Sequence, residues 1–453
     1  MLRQHKAAQG PVPKGRGCFG SMWTDALGEL REQHGCRQSG SGRGGALGTG
    51  CVLSSTMRIA AVELIWLDLT LRQGLVTAAG THLARPVVMV RVLSDSLEGF
   101  GECAALEMPS YSEEDAAGAW RVLRDYLAPA VLAASAQLAT RGPAEAEPGV
   151  DSLVGPLIDA CGCIRGNPMA KAALEMALVD LALRDIGISL ADHLRLEVTD
   201  VACGGVLGMP AGQRAGAQRG AYEDPAALIA AAEEVLASGC ARLRVKIRPG
   251  YDIAPLSALR ERFPDLAIQA DANGSYVPGD LAILERLDAI GLTCIEEPLG
   301  EGGHTGHAWL AERIATPVCL DESLGSLHQV REAISLGACR VACLKPSRLG
   351  GLIAAVEAHD LCAQAGVACF CGGMLETSYA RIANAAYAGL PGFVLPGDLA
   401  VEDRFMEPDI LDPGDVPPAP AGRAGIYRPA GLAPHPVANL LAARAVRREL
   451  LRL

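Results

Sequence analysis

Five charged residues fall at an almost constant interval along one stretch of this chain. Lys246, Asp271, Glu296, Asp321 and Lys345 lie 25, 25, 25 and 24 residues apart. Each closes a short apolar run (LRVKI, LAIQAD, TCIEE, VCLD, VACLK), followed by a polar loop and then a segment amphipathic at helical spacing. A strand–loop–helix unit repeated in this way predicts a (β/α) barrel, in which parallel strands bring their C-terminal ends to one face. A single acid at a strand end is better read as a helix cap or an arginine partner. Five residues at even spacing, on the face where barrel enzymes do chemistry, predict a shared site.

The two lysines stand out against the rest of the chain. Of forty lysines plus arginines only five are lysine (Lys6, Lys14, Lys171, Lys246, Lys345), leaving thirty-five arginines. Arginine does not lose its proton in a protein, whereas lysine does so once neighbours or burial lower its pKa. A chain that uses arginine wherever charge suffices, and keeps lysine at RLRVKI and ACLKPS, predicts proton transfer at Lys246 and Lys345. Between them Asp271, Glu296 and Asp321 supply hard oxygen ligands from neighbouring strands. That set suits Mg²⁺, with Mn²⁺ as the alternative. A cation held there can bind a substrate carboxylate and stabilise the enediolate formed when the α-proton leaves.

The rest of the 453 residues organises around this core. Residues 1–56, rich in Gly and Ser and without periodicity, read as a disordered extension, or as sequence before a true start at Met57. Residues 57–165 read as a capping domain: strands at MRIAAVELIWLDLTL and VVMVRVL, a helix from Glu113 to about Ala134, and a loose connection over 135–167. The helix MAKAALEMALVDLALRDI opens a barrel over 166–406, with strand one at VACGGVLG, strand seven at VACFCGG and strand eight at GFVLPGD. Residues 407–453, Pro-rich and then helical, return to the capping domain. With a net charge of −12 and no basic run tracking a phosphate backbone, nucleic acid is not an expected partner, and no apolar stretch reaches transmembrane length. Fifteen cysteines, many inside apolar runs, fit buried thiols in a reducing cytoplasm rather than a disulfide framework. The pairs Cys161/Cys163 and Cys369/Cys371 do not have zinc spacing.

The stretches RVKIRPGYD, QADANGSY, IEEPL, CLDES, LKPSRLGG, CGGMLETSYARIAN and LPGD, with FGECAALEMPSYS and NPMAKAALEMALVDLALR upstream, resemble the enolase superfamily. They are most similar to its muconate-lactonizing branch, and within it to o-succinylbenzoate synthases and N-succinylamino-acid racemases. The resemblance runs from Met57 to Leu453 and implies an α/β fold. That fold is a modified (β/α)₇β TIM-type barrel with an α+β capping domain formed by N- and C-terminal segments. It also implies Mg²⁺, a small carboxylate substrate and a possible homo-oligomer. By matching position, Lys246 and Lys345 are the acid/base pair on opposite faces of the substrate, and Asp271, Glu296 and Asp321 are the metal ligands. Asn273, Glu322 and Ser323 are orienting or substrate-binding groups, as are Gly372, Gly373, Met374 and Glu376 of CGGMLET. Glu376 has an equal alternative as a solvent-facing acid at a helix start. Lys171 is read as structural.

Two departures bear on the substrate. The family's K-x-K at strand two is Arg244-Val245-Lys246 here, so Arg244 is expected to orient or neutralise a carboxylate and Lys246 to move the proton. The capping loop Arg72–Arg85 lacks the aromatic residue often present in relatives. With Glu102–Tyr111 it is the candidate specificity segment. The first reaction expected is syn dehydration of 2-succinyl-6-hydroxy-2,4-cyclohexadiene-1-carboxylate, a step of menaquinone synthesis. The alternative is racemisation of N-succinyl or other N-acyl amino acids with the same two lysines. Dipeptide epimerisation is disfavoured because strand eight reads Asp398-Leu399-Ala400 rather than D-x-D. Muconate cycloisomerisation is a weaker reading. A non-catalytic barrel is disfavoured because arginine would serve an idle site as well as lysine.

Overall fold

The computed structural model describes residues 57–77, 80–140, 149–209, 225–400, 406 and 409–452. The expectation for residues 1–56 lies outside these, as do the residues at the tip of the Arg72–Arg85 segment.

The chain opens with β1 (Ala61–Thr77), β2 (Gly80–Leu93) and β3 (Glu98–Cys103), an antiparallel meander. Both faces of β1 and β2 are covered. Val62, Leu64, Val88, Val90 and Val92 join the core that holds the helices packed on this sheet, while Ile65, Leu67, Leu69, Val87 and Met89 meet Tyr379, Ile382 and Ile410 on the other side. That is why these strands read as nearly continuous apolar runs rather than a clean alternation. Arg72–Arg85, expected as a loop, is instead the far end of the β1–β2 hairpin, with Leu75 paired to His82 and Leu69 to Arg85. Hairpin pairing satisfies the backbone groups that a loop would leave to water.

The buried helix Pro168–Ile186 lies on β3 so closely that a Cβ at Gly101 would run into the Ala173 carbonyl. Upstream, the stretch expected to be a loose connection contains the helix Val150–Asp159, whose Val150, Leu153, Val154 and Leu157 are buried at helical spacing. Its Pro156 and flanking glycines masked that periodicity.

The short strand β4 (Asp200–Ala202) precedes the barrel. There β5 (Gly204–Leu207), β6 (Arg242–Lys246), β7 (Ala267–Asp271), β8 (Cys294–Glu296), β9 (Val318–Leu320), β10 (Val341–Leu344) and β11 (Ala368–Cys371) form one seven-stranded sheet. They neighbour one another in chain order and pair in parallel. The expected eighth strand is not a regular ladder. Residues 393–398 close the ring through single bridges, Cys369 to Phe393 and Cys203 to Gly397, with Asp398 N donating to Cys371 O at 2.9 Å. Pro396 in this run has no N–H to give a ladder.

The chain ends with β12 (Arg423–Gly425), paired to β4, and β13 (Ala445–Leu451). The last segment, expected to be helical, keeps one short helix, Ala438–Arg444. It finishes as β13, antiparallel to β1 at the edge of the N-terminal sheet. The sequence AVRRELL has no alternation of its own, and the open edge of β1 decides its structure.

Candidate active site

Strand alternation turns every second side chain into the barrel. Along β6 these are Arg242, Arg244 and Lys246, and along β7 Gln269 and Asp271. The next strands bring Cys294 and Glu296, Cys319 and Asp321, then Cys343 and Lys345. The register sets Lys246 beside Asp271 and Asp271 beside Glu296. All five of the evenly spaced residues thus converge at the C-terminal end of one sheet. All are buried, from 0% exposed at Asp271 and Glu296 to 7% at Lys246.

The two lysines flank the acids and engage different ones. Lys246 Nζ donates to Asp271 Oδ2 at 2.6 Å and to Asn273 Oδ1 at 2.9 Å. Lys345 Nζ donates to Asp321 Oδ2 at 2.7 Å and to Tyr111 Oη at 2.7 Å. Three strands (β7, β8 and β9) lie between β6, which carries Lys246, and β10, which Lys345 directly follows. Burial disfavours charge on both Lys345 and Asp321, but each outweighs it for the other. Lys345 is held well above the usual lysine range by Asp321 and Tyr111, and Asp321 is held down to about 2 by Lys345, Arg348 and Arg244. Glu296 goes the other way: burial pushes its carboxyl well above the usual range, Arg244 opposes this, and Asp271 and Asp321 add to it. Asp321 Oδ1 is buried without a hydrogen-bond partner.

Arg244 faces three carboxylates of the barrel. It lies 2.8 Å from Glu296 Oε1, 3.4 Å from Asp271 Oδ2 and 2.9 Å from Asp398 Oδ2. Asp398 also pairs with Arg242 at 2.8 Å, and the Arg242 guanidinium stacks on Phe370. Asn273 bridges Lys246 and Glu322, donating to Glu322 Oε1 at 2.8 Å. Asn273 and Glu297 have left-handed backbone (φ 44° and 37°), which bends the chain away directly beyond Asp271 and Glu296. Glu297 then accepts the backbone N–H of Asp321 at 2.9 Å and the hydroxyl of Ser323, fastening one strand end to the next.

The CGGMLET segment lies against Lys345. Met374 Sδ accepts from Lys345 Nζ at 3.7 Å, and a Cβ on Gly372 would collide with Cys343 Sγ and the Lys345 side chain. Gly373 packs on the Asp398 backbone. Glu376 is buried and does not face solvent. It accepts from Met374 N at 2.7 Å and Asn384 Nδ2 at 3.3 Å, so it shapes its own loop. Lys171 sits away from this set and donates to the Ile164 carbonyl.

Several residues of the site carry no motif. Tyr111 belongs to the segment singled out for specificity, yet nothing in the sequence placed its hydroxyl between Lys345 and Asp321. Gln269, Arg242 and Cys343 could have been found by counting back two residues from Asp271, Arg244 and Lys345. Asp398 comes from the irregular eighth segment, which has no such period.

Comparison with known proteins covers both parts of the chain. Residues 61–194 match the family described as mandelate racemase / muconate lactonizing enzyme, N-terminal domain, and residues 227–432 match the one described as enolase C-terminal domain-like. An N-succinylamino acid racemase of an Amycolatopsis species is 40% identical over 371 residues, 81% of this chain and 94% of that protein. An o-succinylbenzoate synthase of Geobacillus kaustophilus is 36% identical over 358 residues, 79% of this chain and 88% of that protein. A solved structure of a probable mandelate racemase from Alicyclobacillus acidocaldarius is 33% identical and superposes with a TM-score of 0.75, covering 87% of this chain and 99% of that one.

Proposed function

Because the chain belongs to the mandelate racemase / muconate lactonizing enzyme family of the enolase superfamily, we propose that it is a Mg²⁺-dependent o-succinylbenzoate synthase. The observation that carries this reading is the placement of Lys246 and Lys345 on either side of three buried carboxylates. Asp271, Glu296 and Asp321 would hold the cation. They are hard oxygen donors on adjacent strands, and the unpartnered Asp321 Oδ1 leaves a lone pair free for it. When bound, the cation compensates the charge that builds on the substrate carboxylate as the α-carbon is deprotonated.

The protein's own residues do the rest. Lys246 acts as the base that takes the α-proton. The resulting ammonium returns that proton to the departing hydroxyl on the same face, so the C–H and C–O bonds break and water leaves. Asn273 holds the Lys246 amine in place. Lys345, kept cationic by Asp321 and Tyr111, stabilises the anion by charge. Burial of the set excludes bulk water and strengthens each of these interactions.

A second reading has specific support. The Amycolatopsis protein and one from Thermus thermophilus that is 38% identical are both named N-succinylamino acid racemase. The same two lysines would serve that reaction, one removing and the other returning the proton. The test is a Mg²⁺-dependent assay on 2-succinyl-6-hydroxy-2,4-cyclohexadiene-1-carboxylate with EDTA and Lys345→Ala controls. Rapid dehydration that disappears in both controls supports the synthase. No turnover by folded, metal-loaded protein sinks it and shifts the assignment to racemisation, read by α-proton exchange of N-succinylamino acids in D₂O.

A further inference from the structure

A thiol lies among the carboxylates. β10 runs beside β9 with Val341 level with Cys319 and Ala342 level with Leu320, so the next inward residue, Cys343, stands beside Asp321. Cys343 is 2% exposed, and one ligand atom each of Glu296, Asp321 and Cys343 lie within 4.8 Å of one another. Grouped in this way, the three residues could hold one metal ion together. A further observation points to a ligand here. Asp321 is 2% exposed and its Oδ1 has no hydrogen-bond partner. Cys343 Sγ packs against Gly372, in the space that a Cβ there would need.

The chemistry of this trio differs from that of Asp271, Glu296 and Asp321. Mg²⁺ keeps to oxygen and gains nothing from sulfur, whereas Zn²⁺ and Cd²⁺ take thiolate and carboxylate together. We propose that Glu296, Asp321 and Cys343 form a mixed oxygen–sulfur site that binds a thiophilic divalent cation and shares two carboxylates with the Mg²⁺ site. The inference rests on the proposed function for those two carboxylates being open to a cation. The thiol gives its proton to solvent as the metal–sulfur bond forms. Occupancy of this site excludes Mg²⁺, so Zn²⁺ or Cd²⁺ acts as a competitor of the activating ion rather than as a substitute for it.

The experiment is a Cd²⁺ titration of the purified full chain, followed by the ultraviolet sulfur-to-cadmium charge-transfer band. The same titration is run on Cys343→Ala, Cys343→Ser and Cys294→Ala. Cys294 is another buried thiol of the barrel interior. The expected result is a component that saturates at a single equivalent, is absent from both Cys343 variants, persists in Cys294→Ala and is displaced by excess Mg²⁺. A band unchanged in folded Cys343 variants overturns the proposal, and so does a Cys343-dependent band insensitive to Mg²⁺ in protein whose Tm Mg²⁺ raises. Thermal unfolding with Mg²⁺ alone keeps the two readings apart. If Mg²⁺ raises Tm in wild type and Cys343→Ala alike but no Cys343-dependent band exists, only the mixed site is lost. If the band exists and Mg²⁺ raises Tm in neither, the Mg²⁺ assignment fails instead.

Discussion

Tyr111 Oη accepts a hydrogen bond from Lys345 Nζ at 2.7 Å and donates its own, at 2.8 Å, to the Asp321 oxygen that Lys345 also binds. Lys345 follows β10 of the barrel, whereas Tyr111 follows β3 of the N-terminal sheet. The Lys345 ring contact, 4.8 Å from Nζ to the Tyr111 centroid, adds a cation–π component to the same pair. The N-terminal sheet therefore supplies a group that holds one of the two lysines. Tyr111→Phe keeps the ring and removes the hydroxyl. A hydrogen bond to a charged group contributes about 1.5–3 kcal/mol, so kcat/KM is expected to fall about ten- to a hundredfold. Tm should move little, because the apolar packing stays. Steady-state kinetics with a melting curve on the same sample check this.

The two lysines should respond differently to arginine. If Lys246 moves the proton and Lys345 contributes charge, Lys246→Arg should lower the dehydration rate by about 10²–10⁴, the range for loss of a general acid–base group. Lys345→Arg, which keeps its positive charge, should cost roughly tenfold or less. For racemisation both substitutions should abolish proton exchange at one face each. Measuring dehydration and α-proton exchange on both variants separates the one-base from the two-base mechanism.

The sequence was most informative where chemistry and period coincide. Lys246, Asp271, Glu296, Asp321 and Lys345 could be read together because each ends a strand of regular length, and strand ends of a parallel barrel must meet. Where tertiary partners choose the structure, the sequence was ambiguous. AVRRELL became a strand because β1 offered an edge, and the segment around Val150–Asp159 became a helix because its apolar stripe had a core to cover. Tyr111 and Asp398 reach the site from irregular segments, so no spacing rule points to them. Glu376 shows the opposite limit: its position next to a glycine-rich turn suggested solvent or substrate, and only the fold shows it turned inward onto Met374 N and Asn384.

Glu175 gives a pH dependence that does not involve Asp271, Glu296 or Asp321. It lies in the helix Pro168–Ile186 and accepts the backbone N–H of Ile353 at 3.0 Å, at the start of the helix Leu352–Ala365. Burial pushes its carboxyl up to about 7, against the backbone hydrogen bonds that lower it. A carboxyl whose pKa is higher in the folded than in the unfolded state binds its proton more tightly when folded. Its contribution is therefore fully present below the unfolded value of about 4.3 and is lost as pH rises to about 7, a change on the order of 3 kcal/mol. Glu175→Gln imitates the protonated form. It should flatten this part of the Tm-versus-pH curve and leave the variant more stable than wild type at pH 8. A parallel curve for the two proteins would show that Glu175 does not titrate in this window.

Metal addition should stabilise the protein through the same charges that organise the site. Three buried carboxylates are compensated by Arg244, Lys246 and Lys345, and burial keeps Glu296 well above the usual range even with Arg244 at 2.8 Å. A divalent cation among Asp271, Glu296 and Asp321 adds two positive charges where they are under-compensated, and it has no equivalent site in the unfolded chain. Free Mg²⁺ at about one hundred times its Kd should then raise stability by about 2.7 kcal/mol. EDTA should abolish both that rise and the activity, and Mg²⁺ should restore them together. Asp271→Asn, Glu296→Gln and Asp321→Asn should each remove the Mg²⁺-dependent rise in Tm. Lys246→Arg should keep it, because the carboxylates remain. If Mg²⁺ raised Tm equally in the three carboxylate variants, its binding site would have to lie elsewhere, and the two lysines would need another source of charge compensation for the substrate carboxylate.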